Sequence, residues 1–365
     1  MQNSNATVRL RCGRTIGQGQ PCFVVAEIGN NHQGERDVAA RMVEEAARAG
    51  ADGVKFQKRN TEALLTRAGR EAPYTGPNSF GPTYGEHRDA LELSVDDLAL
   101  LKQQAEDLGM VFFASAWDEP SLDEMLGLEP ELLKISSAEL VNLPLVRKMA
   151  AARIPLIVST GMSSIADIQA ALDEIQQVHD NVILLHCNSR YPCPEEQIGL
   201  PVIQALRETF ALPVGYSGHE RGMGPSVAAV ALGACVVERH FTLDKTMRGT
   251  DHQVSLTPGE LAQVVAMIRD VEKAVLIKGK TVFPEEQAAA KKLRKSIVFA
   301  RDLPAGHVLA EADLTTKCPG DGVSPVHWDE VLGSTLSVPV QHEQQLRWEL
   351  LAARCEPRIR TASGS

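Results

Sequence analysis

The stretch LPVGYSGHERGMGPSVAAVALGACVVERHF, residues 212–241, contains the unit that decides the fold. Its two ends, 212–219 and 235–241, are short apolar runs typical of buried strands, and the segment between them has helical apolar spacing. This order predicts two parallel strands joined by a crossover helix. His219 ends the first strand and His240 ends the second, so we expect both imidazoles at one end of the sheet.

The same unit recurs along the chain, where apolar runs alternate with helical segments. The eight runs are CFVVAEIG (22–29), GVKFQ (53–57), VFFASAW (111–117), LLKIS (132–136), PLIVSTG (155–161), NVILLHCNS (181–189), LPVGYSGH (212–219) and CVVERHF (235–241). Eight units in about 250 residues predict a (β/α)8 TIM barrel, which is an α/β fold. A doubly wound open sheet is the alternative, disfavoured because no G-x-G-x-x-G follows the first strand.

The composition changes after residue 278. Residues 279–292 are polar and predict a linker, whereas 293–354 contains short β-rich runs with Leu-Pro-Ala-Gly and Pro-Gly-Asp-Gly turn signals. We therefore expect a barrel domain over 1–278, a small β-rich domain over 293–354 and a disordered tail over 355–365.

Charge and composition exclude several classes of protein. The 365 residues carry a net charge of −10 and no long basic cluster, so nucleic acid is not an expected partner. Neither a signal-peptide pattern nor an apolar run of membrane-spanning length is present, which predicts a cytoplasmic protein without a membrane partner. Seven singly scattered cysteines argue against a disulfide framework.

Polar residues gather at the carboxyl ends of the predicted strands, the face on which barrel enzymes build active sites. Two histidines at equivalent ends of adjacent strands can hold one divalent ion and leave positions open for substrate oxygens and water. The alternative is that His219 and His240 are hydrogen-bonded structural residues. Glu27, at the end of the first strand, is a candidate to orient a water or to act as acid or base.

Lys55 and Lys134 lie within apolar strands, where an ammonium is costly to bury unless it meets an anion. The hydroxyl groups on the same rim belong to Ser137, Ser159, Ser189 and Ser217. Two ammonium groups and several hydroxyls predict a phosphate cradle. The alternatives are ion pairs with the carboxylates of Glu27, Glu139 and Glu238, or a lysine that forms a Schiff base.

Eight motifs carry a resemblance to a known family: AEIGNNHQG, VKFQK, TYGEHRDALELS, LKISSAE, VSTGM, HCNSRYPCP, GYSGHE and ERHFTLDKTMRGTDH. They resemble the sialic acid synthases, which use phosphoenolpyruvate to make nine-carbon keto sugar acids. The segment after the linker is similar to the antifreeze-like (SAF) domain of that family. The resemblance implies a homodimer in which the small domain of one chain covers the barrel mouth of the other.

The resemblance also implies roles for individual residues. His219 and His240 would bind a divalent ion, commonly manganese, with magnesium or cobalt as alternatives. Phosphoenolpyruvate would contact Lys55, Lys134, Ser137, Ser159, Ser189 and Ser217, and the sugar would contact Gln57, Tyr191 and Asp251. Glu27 would act near the attacked carbon or the water, and Glu139 and Glu238 would lie close to the metal or phosphate.

Two positions depart from many bacterial members of that family. Cys318 stands where those members have an arginine that reaches the sugar, and Gly218 stands where they have an aspartate. The glycine form resembles the animal-type branch, which takes the 6-phosphate of the hexose and makes a 9-phosphate product. Rival interpretations are another phosphoenolpyruvate-dependent keto sugar acid synthase, a metal-dependent barrel hydrolase and a non-catalytic carbohydrate-binding protein.

Overall fold

The computed structural model describes residues 6–353, so the predicted disordered tail, 355–365, lies outside the described residues. The chain divides into two compact units, with the boundary after Leu276. In the first unit, eight parallel strands close into a barrel, which confirms the predicted TIM barrel. A short antiparallel hairpin, β1 (Thr7–Arg9) and β2 (Thr15–Gly17), precedes it. The barrel strands are β3 (Phe23–Gly29), β4 (Gly53–Lys58), β5 (Val111–Ala116), β6 (Leu133–Ile135), β7 (Leu156–Ser159), β8 (Val182–Cys187), β9 (Val214–Gly218) and β10 (Val236–His240).

Helices connect the strands and cover the outside of the barrel. They are α1 (Arg36–Arg48), α2 (Thr61–Leu64), α3 (Arg67–Glu71), α4 (Tyr84–Asp89), α5 (Val95–Asp107), α6 (Glu119–Gly127), α7 (Leu143–Ala151), α8 (Ile165–Gln176), α9 (Val202–Phe210), α10 (Gly224–Ala231) and α11 (Pro258–Ala274). Local sequence marks their ends. Ser94 and Asp118 accept backbone N–H bonds at the starts of α5 and α6, as N-cap side chains do. Gly109, just beyond α5, has a φ of 78°, which favours glycine.

The inside of the barrel has an apolar layer and a polar layer. Towards the amino ends of the strands, inward-facing side chains such as Phe23, Phe113 and Ile183 pack into one cluster with Val8 and Ile16 of the hairpin. Nearer the carboxyl ends, the inward positions hold charged or hydroxyl side chains, because side chains of one face recur every second residue. These residues are Glu27, Lys55, Ser115, Lys134, Ser159, Ser217 and Glu238. The hairpin and the apolar layer close one end of the barrel, and the polar layer faces the other.

The second unit is a small β-rich body with its own core. Strand β11 (Ser296–Phe299) pairs with β12 (Leu314–Lys317), and β13 (Thr335–Leu336) pairs with β14 (Leu351–Ala353). A short helix, α13 (Trp328–Val331), precedes β13. The core residues of this unit are Ile297, Val298, Phe299, Leu303, Leu309, Val331, Leu336 and Leu346.

The segment predicted as a linker, 279–292, is partly helical. Helix α12 (Glu286–Leu293) occupies its second half. The sequence EQAAAKKL consists of strong helix formers, which explains the helix in a polar stretch. Backbone bonding ties this helix to the small unit, since the Gly320 N–H donates to the Lys291 carbonyl at 2.7 Å. Between residues 6 and 353, none of the helices combines the length and the hydropathy needed to span a bilayer.

Candidate active site

A cavity of about 260 Å³ lies at the carboxyl ends of the barrel strands, and we call it the inner cavity. Its walls include most of the residues predicted from strand ends and from the resemblance. They are Glu27, Lys55, Gln57, Lys134, Ser137, Ser159, Ser189, Tyr191, Ser217, His219, Glu238 and His240. The parallel strands place them together: His240 is in register with Glu27, Glu27 with Lys55, and Glu238 with Ser217.

Lys55 and Glu27 form a buried ion pair on one wall. The Lys55 Nζ lies 2.7 Å from the Glu27 Oε2, and both side chains are about 3% exposed. Gln57 donates from Nε2 to the other carboxylate oxygen of Glu27 at 2.6 Å. These contacts fix the position of the Glu27 carboxylate. The Lys55 Nζ also donates to the Ser115 Oγ, at 3.4 Å.

Lys134 is the centre of a second buried network across the cavity. Its Nζ donates to the Ser159 Oγ at 2.7 Å and lies 3.4 Å from the Glu238 Oε1. Ser217 donates to the same Glu238 oxygen at 3.1 Å. Burial alone would raise the pKa of Glu238, but Lys134 and Lys55 outweigh burial and hold that pKa below its ordinary value. Burial lowers the pKa of Lys134, and the Glu238 carboxylate opposes that shift, so the two side chains support each other's charge.

Hydroxyl groups converge around Gly161, at the turn after β7. The Gly161 N–H donates to the Ser137 Oγ at 3.0 Å, and Ser137 contacts the Cys187 Sγ at 3.2 Å. A Cβ on residue 161 would lie 2.3 Å from the Ser189 Oγ and 2.8 Å from the Ser137 Oγ. Only glycine leaves these hydroxyls and its own N–H close together, an arrangement suited to phosphate oxygens.

His219 is held in one tautomer. Its Nδ1 lies 2.6 Å from the Asn188 carbonyl oxygen, which can only accept, so Nδ1 carries the proton. Burial, followed by the neighbouring His240, lowers the pKa of His219 to about 3, so the ring is neutral. Its Nε2 therefore presents a lone pair, which accepts a bond from the Tyr191 hydroxyl at 2.7 Å. Histidines that bind metals are typically held by a backbone carbonyl in this way.

His240 completes a pair of imidazoles that fits a divalent ion. The two rings are 5.5 Å apart between centroids, and the His240 Nδ1 is buried without a hydrogen-bond partner within residues 6–353. Asp251 Oδ2 lies 3.9 Å from that nitrogen. In the described part of the chain, no three His, Cys, Asp or Glu side chains form a metal cluster. The donor set suits an ion that completes its shell with substrate oxygens and water.

A buried ion pair lies directly behind these histidines. Arg239, next to His240, donates to the Oε1 of Glu220, next to His219, at 2.8 Å. Arg239 also donates to the Glu220 carbonyl at 2.6 Å and to the Ser226 Oγ at 2.9 Å. Since both side chains are about 1% exposed or less, this pair ties β10 to the segment after β9 and fixes the spacing of the two imidazoles.

A second cavity, of about 390 Å³, adjoins the first, and we call it the outer chamber. The two share Gln57, Trp117, Tyr191 and His240. All three residues predicted to contact sugar line the outer chamber, and Asp251 lines only this one. The remaining walls come largely from segment 74–91, between β4 and β5, and from 248–250, after β10.

Glu139, which the resemblance places close to the metal or phosphate, lines neither of the two cavities. Strand β6 ends at Ile135, and the chain turns through a bond from the Glu139 N–H to the Ser136 carbonyl. The turn directs the Glu139 carboxylate to the Asn142 Nδ2, at 2.7 Å. Within residues 6–353, ion pairs with the lysines occur at Glu27 and Glu238, whereas the Glu139 carboxylate bonds to Asn142 instead.

Sequence reasoning missed the cationic and aromatic walls of the outer chamber. These residues include Arg59, Tyr74, Phe80, Tyr84, His87, Arg88 and Arg248. One signal was available: the connection from β4 to β5, 59–110, is the longest loop on the face where barrel enzymes bind substrates.

The fold and the site together define a class of protein: a TIM-barrel enzyme whose strand ends bring buried lysines and hydroxyls together beside two closely spaced imidazoles. Comparison with known proteins narrows that class. The NeuB family model matches residues 42–280, and the SAF domain model matches residues 294–352.

Two relatives and one solved structure are similar over most of the chain. N-acetylneuraminate-9-phosphate synthase of Homo sapiens is 41% identical, covering 93% of this chain and 95% of that protein. N,N'-diacetyllegionaminic acid synthase of Legionella pneumophila is 36% identical, covering 92% and 96%. The structure of N-acetylneuraminic acid (sialic acid) synthetase from Leptospira borgpetersenii, in complex with citrate, has a TM-score of 0.69 and 31% identity, covering 78% and 96%.

The chain therefore belongs to the NeuB family, the sialic acid synthases, with a C-terminal SAF domain. The predicted family is confirmed, and with it the prediction of an enzyme of this synthase type.

Proposed function

We propose that the protein condenses phosphoenolpyruvate with an N-acetylated hexosamine, such as N-acetylmannosamine, to make a nine-carbon keto sugar acid and phosphate. The observation that carries the proposal is the joint presence, in one cavity, of two buried lysines and two closely spaced imidazoles. The names of the relatives from Homo sapiens and Legionella pneumophila, both sugar acid synthases, support it.

In this proposal the inner cavity holds phosphoenolpyruvate. The ammonium groups of Lys55 and Lys134 neutralise its phosphate and carboxylate, and the hydroxyls around Gly161 donate to its oxygens. Because this cavity is buried, charge interactions in it are stronger than in water. Gln57, Tyr191 and Asp251 contact the sugar, whose aldehyde lies at the inner end, next to His240.

A divalent ion, which we propose to be manganese, with magnesium or cobalt as alternatives, would be held by His219 and His240. When bound, it would supply Lewis acidity at the aldehyde oxygen of the acceptor. The protein's residues hold the sugar so that C3 of phosphoenolpyruvate faces the aldehyde carbon, and the new C–C bond forms there. Positioning of two reactants in this way accounts for a large part of the rate of such a step.

Attack by C3 leaves a cation at C2 of the former phosphoenolpyruvate, and a water molecule adds there. Glu27, fixed by Lys55 and Gln57, accepts a hydrogen bond from that water and orients it. The proton that the water loses balances the proton taken up by the new sugar hydroxyl. The tetrahedral carbon then expels phosphate through C–O cleavage, and the lysines stabilise the leaving phosphate.

A labelled substrate tests the reaction directly. With ¹⁸O in the bridging oxygen of phosphoenolpyruvate, phosphate should appear only when the hexosamine and a divalent ion are present, and it should carry the label. Mass spectrometry of both products decides the matter. Phosphate release without any sugar would favour a hydrolase, and a seven- or eight-carbon acid would favour another keto acid synthase.

We further propose that two chains pair in the cytoplasm, where phosphoenolpyruvate is made, and that each SAF domain covers the barrel mouth of the partner. The resemblance of the C-terminal unit and its separate core support this arrangement. A chain that ends at Lys280 should keep the folded barrel and lose most turnover, because the mouth would stay open to water. Sedimentation and kinetics of the full and truncated chains test it; a monomeric full-length protein, or full activity in the truncated chain, would refute it.

A further inference from the structure

Gly218, the last residue of β9, has a side-chain position that another residue already fills. A Cβ on residue 218 would lie 2.6 and 2.8 Å from the two carboxylate oxygens of Glu220, and 2.8 Å from a ring carbon of Tyr216. Cβ atoms essentially never lie within 3.0 Å of such atoms, so a larger residue would displace the carboxylate. The φ of Gly218 is not in the left-handed region. The glycine is therefore required by the position of Glu220 and not by the backbone.

Hydrogen bonds hold the Glu220 carboxylate in this position. Its Oε1 accepts from the Arg239 Nη1 at 2.8 Å, and its Oε2 accepts from the Tyr216 hydroxyl at 2.7 Å. Tyr216 belongs to β9 and Arg239 to β10, where Arg239 is in register with Gly218. The Arg239 Nη1 also donates to the Ser226 Oγ of α10, at 2.9 Å. The carboxylate therefore links the ends of two barrel strands and the helix between them.

We call Gly218, Glu220 and Arg239 the strand-end network. None of the three lines the inner cavity or the outer chamber, so the network acts from outside the space that ligands occupy. His219 follows Gly218 directly and His240 follows Arg239, and both imidazoles line the inner cavity. Since successive side chains of a strand point to opposite faces, a shift of the network at either strand end moves one imidazole relative to the other.

We propose that the strand-end network positions His219 and His240 and thereby sets their affinity for a divalent ion. The inference rests on the proposed function, which assigns that ion to the two imidazoles. Partners that orient metal ligands without touching the metal typically account for 10–100-fold in affinity. The network supplies this orientation through a fully buried ion pair between the strand ends, and Gly218 leaves the space that the pair needs.

Binding of Mn²⁺ to the full-length protein, without either substrate, tests the proposal through the free-ion signal in electron paramagnetic resonance. Gly218→Ala should raise the Kd by about 10–100-fold, because its Cβ would displace the Glu220 carboxylate. Gly222→Ala, in the same loop, is the matched control. Its Cβ would meet nothing within 4 Å, so the Kd should not change. Thermal unfolding of each variant shows whether the barrel is still folded.

A second set of variants separates positioning from folding. Glu220→Ala combined with Arg239→Met removes both charges together, so neither is left buried and unpaired. The Kd for Mn²⁺ should already be raised in this double variant. Adding Gly218→Ala should raise it further by less than about threefold, because the carboxylate that its Cβ displaces is absent and the Tyr216 ring has lost its partner.

Each other outcome has a definite meaning. If Mn²⁺ does not bind to the unmodified chain, the metal site of the proposed function fails, and the inference fails with it. If Mn²⁺ binds and the Kd of Gly218→Ala equals that of Gly222→Ala, the inference alone is refuted. A lower unfolding temperature with an unchanged Kd would assign the network to folding only. Equal effects of Gly218→Ala with and without the ion pair would show that displacement of the Glu220 carboxylate is not the cause.

Discussion

The inner cavity holds two lysines, both with carboxylate partners, whereas two of the three arginines that line the outer chamber, Arg88 and Arg248, have no such partner within residues 6–353. Lys55 and Lys134 are about 3–4% exposed and pair with Glu27 and Glu238. Arg88 is half-buried, Arg248 is exposed, and both rest on aromatic rings. A buried ammonium needs a partner in the protein itself, since unpaired burial of a charge costs several kcal/mol. An arginine in an open chamber is hydrated until a ligand replaces the water.

Paired lysines in one cavity and unpaired arginines in the other indicate two different modes of substrate recognition. The inner cavity is built as a fixed, mutually compensated network, so a ligand that enters it meets a charge pattern already in place. The outer chamber leaves the charges of Arg88 and Arg248 without carboxylate partners, so we expect changes there to alter the choice among acceptors. Variants should therefore affect chemistry and phosphoenolpyruvate in the first case and the choice of sugar in the second.

The largest effect is expected at the histidines of the inner cavity. His219→Ala and His240→Ala should each lower kcat/KM by more than about a hundredfold, because even residues that only support metal ligands account for 10–100-fold. Thermal unfolding should change little. Metal analysis of the purified variants, beside His342→Ala at an exposed histidine of the small unit, provides the check. Full metal content with a near-normal rate in either variant would assign both imidazoles to structure.

The lysines come next. Lys55→Met and Lys134→Met should weaken binding of phosphoenolpyruvate by about 2–5 kcal/mol and affect the sugar much less. Each change also leaves a buried carboxylate unpaired, so stability should fall. Lys134→Met combined with Glu238→Gln should recover the stability without recovering the affinity. Separate titrations with each substrate, with Lys148→Met on the exterior as control, measure this. Unchanged affinity in both single variants would show that the lysines serve only as ion-pair partners.

A smaller effect is expected at Gly161. The Cβ of Gly161→Ala would push against the Ser189 and Ser137 hydroxyls, so phosphoenolpyruvate should bind about tenfold more weakly, as for one lost hydrogen bond to a charged group. Gly127→Ala is the matched control, because its Cβ would meet nothing within 4 Å. Titration of both variants is the measurement. Equal affinities would mean that the hydroxyls around Gly161 do not hold the substrate.

The smallest expected effect is a difference in salt dependence between ligands of the inner cavity and ligands of the outer chamber. Salt screens exposed charges more than buried ones. From low to high salt, the KM for a phosphorylated acceptor should rise by about threefold, whereas the KM for phosphoenolpyruvate should change by less than about twofold. Initial rates with a neutral salt give both values. An equal rise in the two would contradict the contrast between an exposed and a buried charge site.

The sequence predicted the inner cavity far better than the outer chamber. His219, His240, Lys55 and Lys134 lie in or directly after strands, so strand register alone brings them together. Glu139 gives a similar signal in sequence, but the turn after β6 directs it elsewhere, which periodicity does not reveal.

Arg88 and Arg248 are about 160 residues apart, and neither lies in a strand. Whether an arginine has a partner depends on tertiary contacts, so the chamber was not predictable from spacing. The hairpin was missed because strands of three residues are too short to have a recognisable alternation. Helix α12 was missed because its helix-forming residues were interpreted as a polar linker.

The apolar layer and the hairpin at the amino end of the barrel have a consequence for the order of events. The inner cavity shares Gln57, Tyr191 and His240 with the outer chamber, so a sugar bound in the chamber would lie across an approach to the deeper ligand. Under the proposed placement, we therefore expect phosphoenolpyruvate to bind before the sugar. We expect phosphate, which is formed at the deeper position, to leave after the sugar acid.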